Sequence, residues 1–312
     1  MTSTVREVTA HHNQFNARAT VSCTLDNLQA KHPCFALGGK PNNKGRIHLP
    51  VSPACNIACK FCERSINTTD QRPGVTGEIL TPEAALDVVG QAVALAPDIT
   101  VVGIAGPGDT LATPHAFKTF RLVKAAFPQM IRCMSTNGLL LADKIEELLE
   151  VGIDTLTVTV NEVDPRRLAQ INDRVVYKGR LYTGLAAAEL LIVNQLEGIR
   201  LAAEAGVLIK VNTVLVPGVN DAHIGRIAHT VKKAGAGLYN IIPLIPNALM
   251  SDVAAPSCVL IDAARADAER HLTVFRHCQH CRADAIGVPG GKDYGEQIYR
   301  NRVRQENTFS HG

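Results

Sequence analysis

Between residues 46 and 246 the sequence alternates between two textures, and that alternation narrows the folds open to the chain. The runs 46–51 (RIHLPV), 99–106 (ITVVGIAG), 131–138 (IRCMSTNG), 155–161 (TLTVTVN), 208–216 (LIKVNTVLV) and 238–246 (LYNIIPLIP) read as buried strands. Between them 81–96, 114–127, 142–152, 184–206 and 221–235 read as amphipathic or alanine-rich helices. Thr81 is a candidate N-cap ahead of Pro82 and Glu83, and Gly206 and Gly235 are suited to end their helices. Strands that alternate with helices pair in parallel through crossovers. The expected fold is α/β, either a doubly wound sheet or a partial or complete β/α barrel. In both, functional groups gather at the carboxyl ends of the strands. Gly106, Gly108, Asp109, Asn137, Asn161 and Asn212 fall at such positions.

Two segments stand outside the alternation. Residues 1–45 are polar and irregular and form an N-terminal extension; residues 247–312 form a C-terminal extension with one helix at about 258–275. The core domain is thus 46–246.

The stretch ACNIACKFCE places Cys55, Cys59 and Cys62 in a C-x3-C-x2-C pattern on the loop after the first strand. A structural zinc site wants four ligands, commonly two separated pairs. Three thiolates on a four-iron cubane leave one iron open, and an open iron binds another molecule. Zinc and ordinary packing thiols are the alternatives. A second pair, Cys278-x2-Cys281 in HCQHC, also has metal-ligand spacing; half a zinc site or a redox pair would give the same pattern. Its neighbours His277 and His280 are expected at the surface, and Cys258 is expected to pack at the start of the last helix.

With 46% hydrophobic residues the chain can bury a sizeable core. A net charge of +3 is too mild to imply nucleic acid, and aromatics at 4% argue against stacking on bases. No apolar run approaches the roughly 18 residues of a membrane span, and the N-terminus lacks a signal-like stretch. A cytoplasmic protein with no membrane partner is expected, and in a reducing compartment clustered cysteines bind metal or react.

The trio, with Phe61 before its last cysteine on the loop after the first strand of a β/α chain, resembles the radical S-adenosylmethionine (SAM) family. The resemblance implies a β/α barrel and a [4Fe–4S] cluster on Cys55, Cys59 and Cys62 whose open iron chelates SAM. Reductive cleavage of SAM then gives a 5′-deoxyadenosyl radical. AGPGD resembles the family's glycine-rich segment at the methionine end of SAM, with Gly106, Gly108 and Asp109 as contacts. Asn137, Asn161 and Asn212 are further SAM-contact candidates, and Glu63, Arg64 and Asp109 are candidates for proton or charge roles, with Asp109 and the trio expected to be catalytic.

HLPVSPACNIACKFC, RPGVTGEIL, GIAGPGDTLA, STNGLLL, TLTVTVNEVDP, LLIVNQLEGI, NIIPLIP and FRHCQHCRADAIGVPG, in that order, are similar to the radical SAM maturases of the nitrogenase cofactor. The similarity runs from about Cys34 to Gly291. It implies an enzyme that fuses two [4Fe–4S] substrate clusters with a SAM-derived carbide and a sulfur, giving an 8Fe–9S–C precursor. It implies Cys278 and Cys281 as ligands to one substrate cluster, and Cys34, His48 and Cys133 as ligands to the other. The implied partners are SAM, an iron–sulfur cluster donor, a sulfur source, a reductant such as ferredoxin or flavodoxin, and a downstream cofactor carrier or scaffold. Some members carry an additional C-terminal carrier domain; a stand-alone form is expected here.

The chain departs from the family pattern once. Members often carry a further cysteine shortly before RPG, where this chain has Thr68, and a neutral hydroxyl is a poor iron ligand. The Cys278–Cys281 cluster then takes a non-thiolate third ligand or is held more loosely. Cys23 has no matching role. The rival readings are another radical SAM enzyme with an auxiliary cluster, similar to a molybdopterin-precursor cyclase, and a non-catalytic iron–sulfur carrier.

Overall fold

The computed structural model describes residues 25–36, 43–299 and 310–311, so Cys23 lies outside the described residues. Its main sheet contains β1 (Gly45–His48), β2 (Ile99–Ile104), β3 (Ile131–Thr136), β4 (Thr155–Thr159), β5 (Leu208–Leu215), β6 (Leu238–Pro243) and β7 (Ile286–Gly287). The strand order is β6-β5-β4-β3-β2-β1-β7. β1 to β6 are parallel and adjacent in chain order, and β7 closes the β1 edge antiparallel.

The helices are α1 (Leu25–Lys31), α2 (Pro82–Leu95), α3 (His115–Ala126), α4 (Ile145–Val151), α5 (Pro165–Ile171), α6 (Gly184–Glu204), α7 (Ile224–Ala234), α8 (Cys258–Glu269) and α9 (Gly295–Tyr299). Thr81 caps α2 as expected, its side chain accepting from the Ala84 N–H over 3.2 Å. Among the described residues no helix is long and apolar enough to cross a membrane.

Period-two alternation gives the sheet two unlike faces. Ile47, Val102, Met134, Leu156, Val211 and Tyr239 point outward into the helix-covered core, none more than 1% exposed. The intervening residues, such as His48, Cys133, Ser135, Thr157, Lys210 and Asn240, line a single cavity of about 360 Å³. One cavity reached by side chains from all six parallel strands requires a curled sheet, so of the two expected folds the chain adopts the partial barrel. The segments outside the alternation pack against its floor. Leu28 of α1 meets Val101 and Ile131, and Phe35 meets Leu238 and Phe275.

Several boundaries differ from the sequence expectation. The strand expected over 46–51 stops at His48, because the chain turns to place the cysteine loop. The helix expected over 258–275 ends at Glu269. Past it, Thr273 and Phe275 bond to the Tyr239 backbone and extend the sheet edge (Tyr239 N–H to Thr273 O, 2.9 Å; Phe275 N–H to Tyr239 O, 2.7 Å). Cys258 is exposed at the start of α8, not packed, and the irregular N-terminal extension contains α1.

A hairpin of Asn172–Tyr177 and Arg180–Thr183 was not anticipated. It turns at Lys178–Gly179, both at positive φ, as a tight two-residue connection demands. The alternation in VVYKGRLYT around a Lys-Gly pair was the available signal.

Candidate active site

The trio loop is held from three sides. Ile57–Cys59 pairs antiparallel with the 172–177 strand of the hairpin, Ile57 opposite Val175 and Cys59 opposite Asn172. The glycine-rich segment docks beneath it: the Gly108 N–H donates to Ser52 O over 2.8 Å, and the Asp109 N–H to Ala54 O over 2.9 Å. A Cβ at Gly108 would fall on the Ala54 carbonyl, so only glycine permits this approach. On the third side, Asn137 Nδ2 donates to Asn56 Oδ1 over 2.7 Å and lies 3.8 Å from Cys55 Sγ.

Most of the expected SAM contacts are themselves engaged within the chain. The Gly108 amide is engaged with Ser52 and is not free for a carboxylate. Asp109 accepts from Thr136 Oγ1 (2.8 Å), the Asn137 N–H (2.7 Å) and the Leu111 N–H (3.0 Å), and so braces the loops after β2 and β3. Burial pushes its carboxyl up against those hydrogen bonds. Asn161 Oδ1 accepts from the Val214 N–H, and Asn212 Oδ1 accepts from Asn240 Nδ2, while both residues line the cavity. Gln195, missed in the sequence, lies at the same end. Its Nε2 donates to Asn137 O (2.8 Å) and Thr159 O (2.9 Å), and its buried Oε1 has no donor.

Cys55, Cys59 and Cys62 all face the cavity. Burial pushes the three thiols up, Cys59 most, and Arg64 pulls each of them back. Thiolates on a cluster are therefore met by nearby positive charge. Among the described residues no three His, Cys, Asp or Glu side chains converge tightly enough for a single metal ion. Three thiols facing one cavity are the donor set that a cubane with one open iron takes.

The other candidate ligands lie deeper, below the carboxyl ends of the strands. Cys34, Cys133 and Cys278 pack on Phe35, Leu238 and Phe275. Arg46 Nη2 donates to Cys281 Sγ over 3.0 Å. Burial raises the Cys34 thiol, Lys210 and Arg46 pull it back, and Cys281 and Cys278 are close neighbours. Burial pushes Cys133 up to about 12.

His48 presents a neutral ring to the cavity. Its Nδ1 lies 3.1 Å from Arg282 O, which fixes the proton there and leaves the Nε2 lone pair free. Burial, then Arg46, hold its pKa at about 4, so the ring is neutral near pH 7. His277 and His280, expected at the surface, also line the cavity. Cys34 thus neighbours Cys278 and Cys281, the pair the resemblance placed on the other cluster, and all five candidate ligands line one cavity. Thr68 points its methyl toward Gly77, in a loop held by Arg282 Nη2 on Asn67 O and Nη1 on Asp70 O.

The profile of the radical SAM superfamily matches residues 49–231. The "FeMo cofactor biosynthesis protein NifB" of Methanocaldococcus infernus is 43% identical over 286 residues, spanning 91% of this chain and 94% of that protein. The protein of that name from Klebsiella pneumoniae is 40% identical over 277 residues, 86% of this chain and 59% of its own length. Among solved structures, a radical SAM methyltransferase from Sphaerobacter thermophilus superposes with a TM-score of 0.53 at 17% identity, covering 77% of this chain and 70% of that one. SuiB from Streptococcus suis gives 0.53 at 12% identity, over 85% of this chain and 54% of that one. At such identities the two structures speak to the fold alone. Identity of 43% across nearly the whole chain, with the superfamily profile spanning the cysteine trio and four of the six parallel strands, β2 to β5, shows that the chain belongs to the NifB family of radical SAM enzymes.

Proposed function

We propose that this enzyme joins two [4Fe–4S] substrate clusters through a SAM-derived carbide and an added sulfur, giving the 8Fe–9S–C precursor of the nitrogenase cofactor. Membership of the superfamily implies a [4Fe–4S] cluster on Cys55, Cys59 and Cys62 and SAM as its substrate. That cluster supplies the electron that cleaves SAM. One SAM would give its methyl to a substrate-cluster sulfide, a second would yield the radical that takes a hydrogen from that methyl, and the remaining two hydrogens would leave as protons.

The observation carrying this reading is the second set of ligands. Cys34, His48, Cys133, Cys278 and Cys281 face the cavity that the trio faces. A single auxiliary cubane has four irons to ligate, so five more thiol and imidazole groups in that cavity favour two substrate clusters over one auxiliary cluster. Imidazole is a more labile iron ligand than thiolate, which suits a cluster that must be rebuilt and released. Asn137 holds Cys55 and Asn56 in place, the hairpin clamps the trio loop, and Gln195 Oε1 offers an acceptor to a SAM hydroxyl or amine. The remaining partners are a cluster donor, a sulfur source, a reductant such as ferredoxin or flavodoxin, and a carrier for the product, all in the cytoplasm.

The test is anaerobic reconstitution. Iron should approach three cubanes, about twelve atoms per chain. Reduction with SAM should release 5′-deoxyadenosine, and the product should activate cofactor-free nitrogenase. Iron limited to one cubane would refute the cluster-fusion reading, and SAM left intact would refute the radical chemistry.

A further inference from the structure

The cavity floor carries charge and donors that the ligands leave unused. Lys210 projects inward from β5 and is 6% exposed. Its Nζ donates to Cys34 O over 3.0 Å and lies 4.8 Å from the Phe35 ring centroid and 5.1 Å from that of Phe275. Arg46 on β1 is 4% exposed. It donates from Nη1 to Gly287 O over 2.6 Å and from Nη2 to Cys281 Sγ, while its buried Nε has no acceptor. His32 is 2% exposed. Its Nδ1 accepts the Cys34 N–H over 3.1 Å, so its hydrogen sits on Nε2, which is buried without an acceptor. All three residues line the cavity.

Among the described residues, neither Lys210 nor Arg46 has a carboxylate within ion-pair distance. The acids lining the cavity, Glu63 and Asp109, flank the trio. Asp284, near His48, is taken by Arg282 at 2.8 Å and by the Gly77 N–H at 2.6 Å. Buried cations without counter-charge are costly, and buried donors without acceptors add to the cost. An occupant that is anionic and rich in acceptors would relieve both.

We propose that Lys210, with Arg46 and His32, binds the sulfide face of an anionic iron–sulfur substrate cluster held at Cys34, Cys278 and Cys281. The inference rests on the proposed function, since it needs a substrate cluster at this end of the cavity. Inorganic sulfide has lone pairs and no hydrogens, so it matches a surface of donors. A thiolate-ligated cubane is a net anion, so it matches two cations. Lys210 is a positioning residue: it retains the cluster and raises its reduction potential by favouring the added electron. The competing role is purely structural, Lys210 fastening the N-terminal segment at Cys34–Phe35 to the C-terminal segment at Phe275.

The two roles separate in a Cys55→Ala/Cys59→Ala/Cys62→Ala background, where iron reports only the deep sites. There, Lys210→Met and Lys210→Arg are compared with the parent for iron retained after reconstitution and desalting, EPR-monitored midpoint potential, and melting of the iron-free chain. Lys210→Met should weaken cluster retention about tenfold or more. It should lower the potential, and leave the iron-free chain at least as stable as the parent, because an unpaired buried cation has gone. Lys210→Arg should restore retention and potential. Unchanged iron and potential in Lys210→Met would overturn the inference and leave the proposed function standing. A lower melting temperature in the iron-free Lys210→Met chain, with iron lost only in proportion to folding, would make Lys210 a fastener and also overturn it. A parent that binds no iron in this background would remove the proposed substrate sites and the inference with them.

Discussion

His48 of β1 and Cys133 of β3 stand level on the cavity wall, with Gly103 of β2 in register between them. A Cβ at Gly103 would lie 3.2 Å from His48 Cδ2, so the glycine is what leaves the imidazole its place. Gly103→Ala should therefore turn the ring away from the cavity at a stability cost of about 1–3 kcal/mol. The measurement is nitrogen coupling in pulsed EPR of the reconstituted enzyme, which should weaken or vanish, together with lower iron per chain.

Gly108→Ala acts on the other end. Its Cβ would meet the Ala54 backbone carbonyl, which cannot rotate aside as a side chain can. The loop after β1 must shift, costing at least about 2 kcal/mol. Urea unfolding should show that loss. SAM cleavage per loaded cluster should fall with it, because Cys55 moves with Ala54.

Gln195→Met separates binding from chemistry. It removes the donors to Asn137 O and Thr159 O, leaving two buried carbonyls unpaired at about 1–3 kcal/mol each. It also removes the unpaired Oε1 acceptor. The expected kinetic result is a raised KM for SAM with a smaller change in kcat. The reverse split would assign Gln195 a role in the chemical step.

Thr81→Ala provides the control. Thr81 caps α2 on the outer layer and touches nothing in the cavity. Loss of its bond to the Ala84 N–H should cost about 1 kcal/mol by thermal or urea denaturation. Iron content and 5′-deoxyadenosine yield should match the parent.

Removal of iron by chelation should lower the melting temperature and preserve the far-UV circular dichroism. Clusters bind the native chain through segments far apart in sequence, so their release removes a native-state ligand. The helices and strands persist because the main apolar core lies between the sheet's outer face and the helices and contains none of the candidate cluster ligands.

Much of the fold was legible because period-two apolar runs and capped helices are local signals. The six parallel strands and α2, with its Thr81–Pro82 start, needed nothing beyond neighbouring residues. The hairpin at 172–183 was missed although Lys178–Gly179 marked its turn, and α5 was missed although Asp164–Pro165 gives it a capped start; Asp164 Oδ1 accepts from the Arg166 N–H over 2.9 Å. The helix expected to run to 275 failed at Glu269 for a reason no local pattern carries. Residues 273–275 find a better hydrogen-bonding partner in the Tyr239 backbone.

At the site, spacing alone singled out Cys55, Cys59 and Cys62, because three thiols on one short loop are adjacent in any fold. Cys278 and Cys281 were legible for the same reason. Only the tertiary structure brought Cys34 beside them and put His48 level with Cys133, since those positions meet through strand register and through two chain ends packed under one sheet. It alone turned Asp109 into a brace, through three donors from distant loops, and brought His277 and His280 in from the expected surface. Lys210 was invisible in LIKVNTVLV, where a lysine in an apolar strand gives no hint of its surroundings. Its isolation from carboxylates among the described residues is a fact about what the curled sheet places around it. The sequence determined which chemistry the chain carries, and the folding of that sheet decided where each group meets the others.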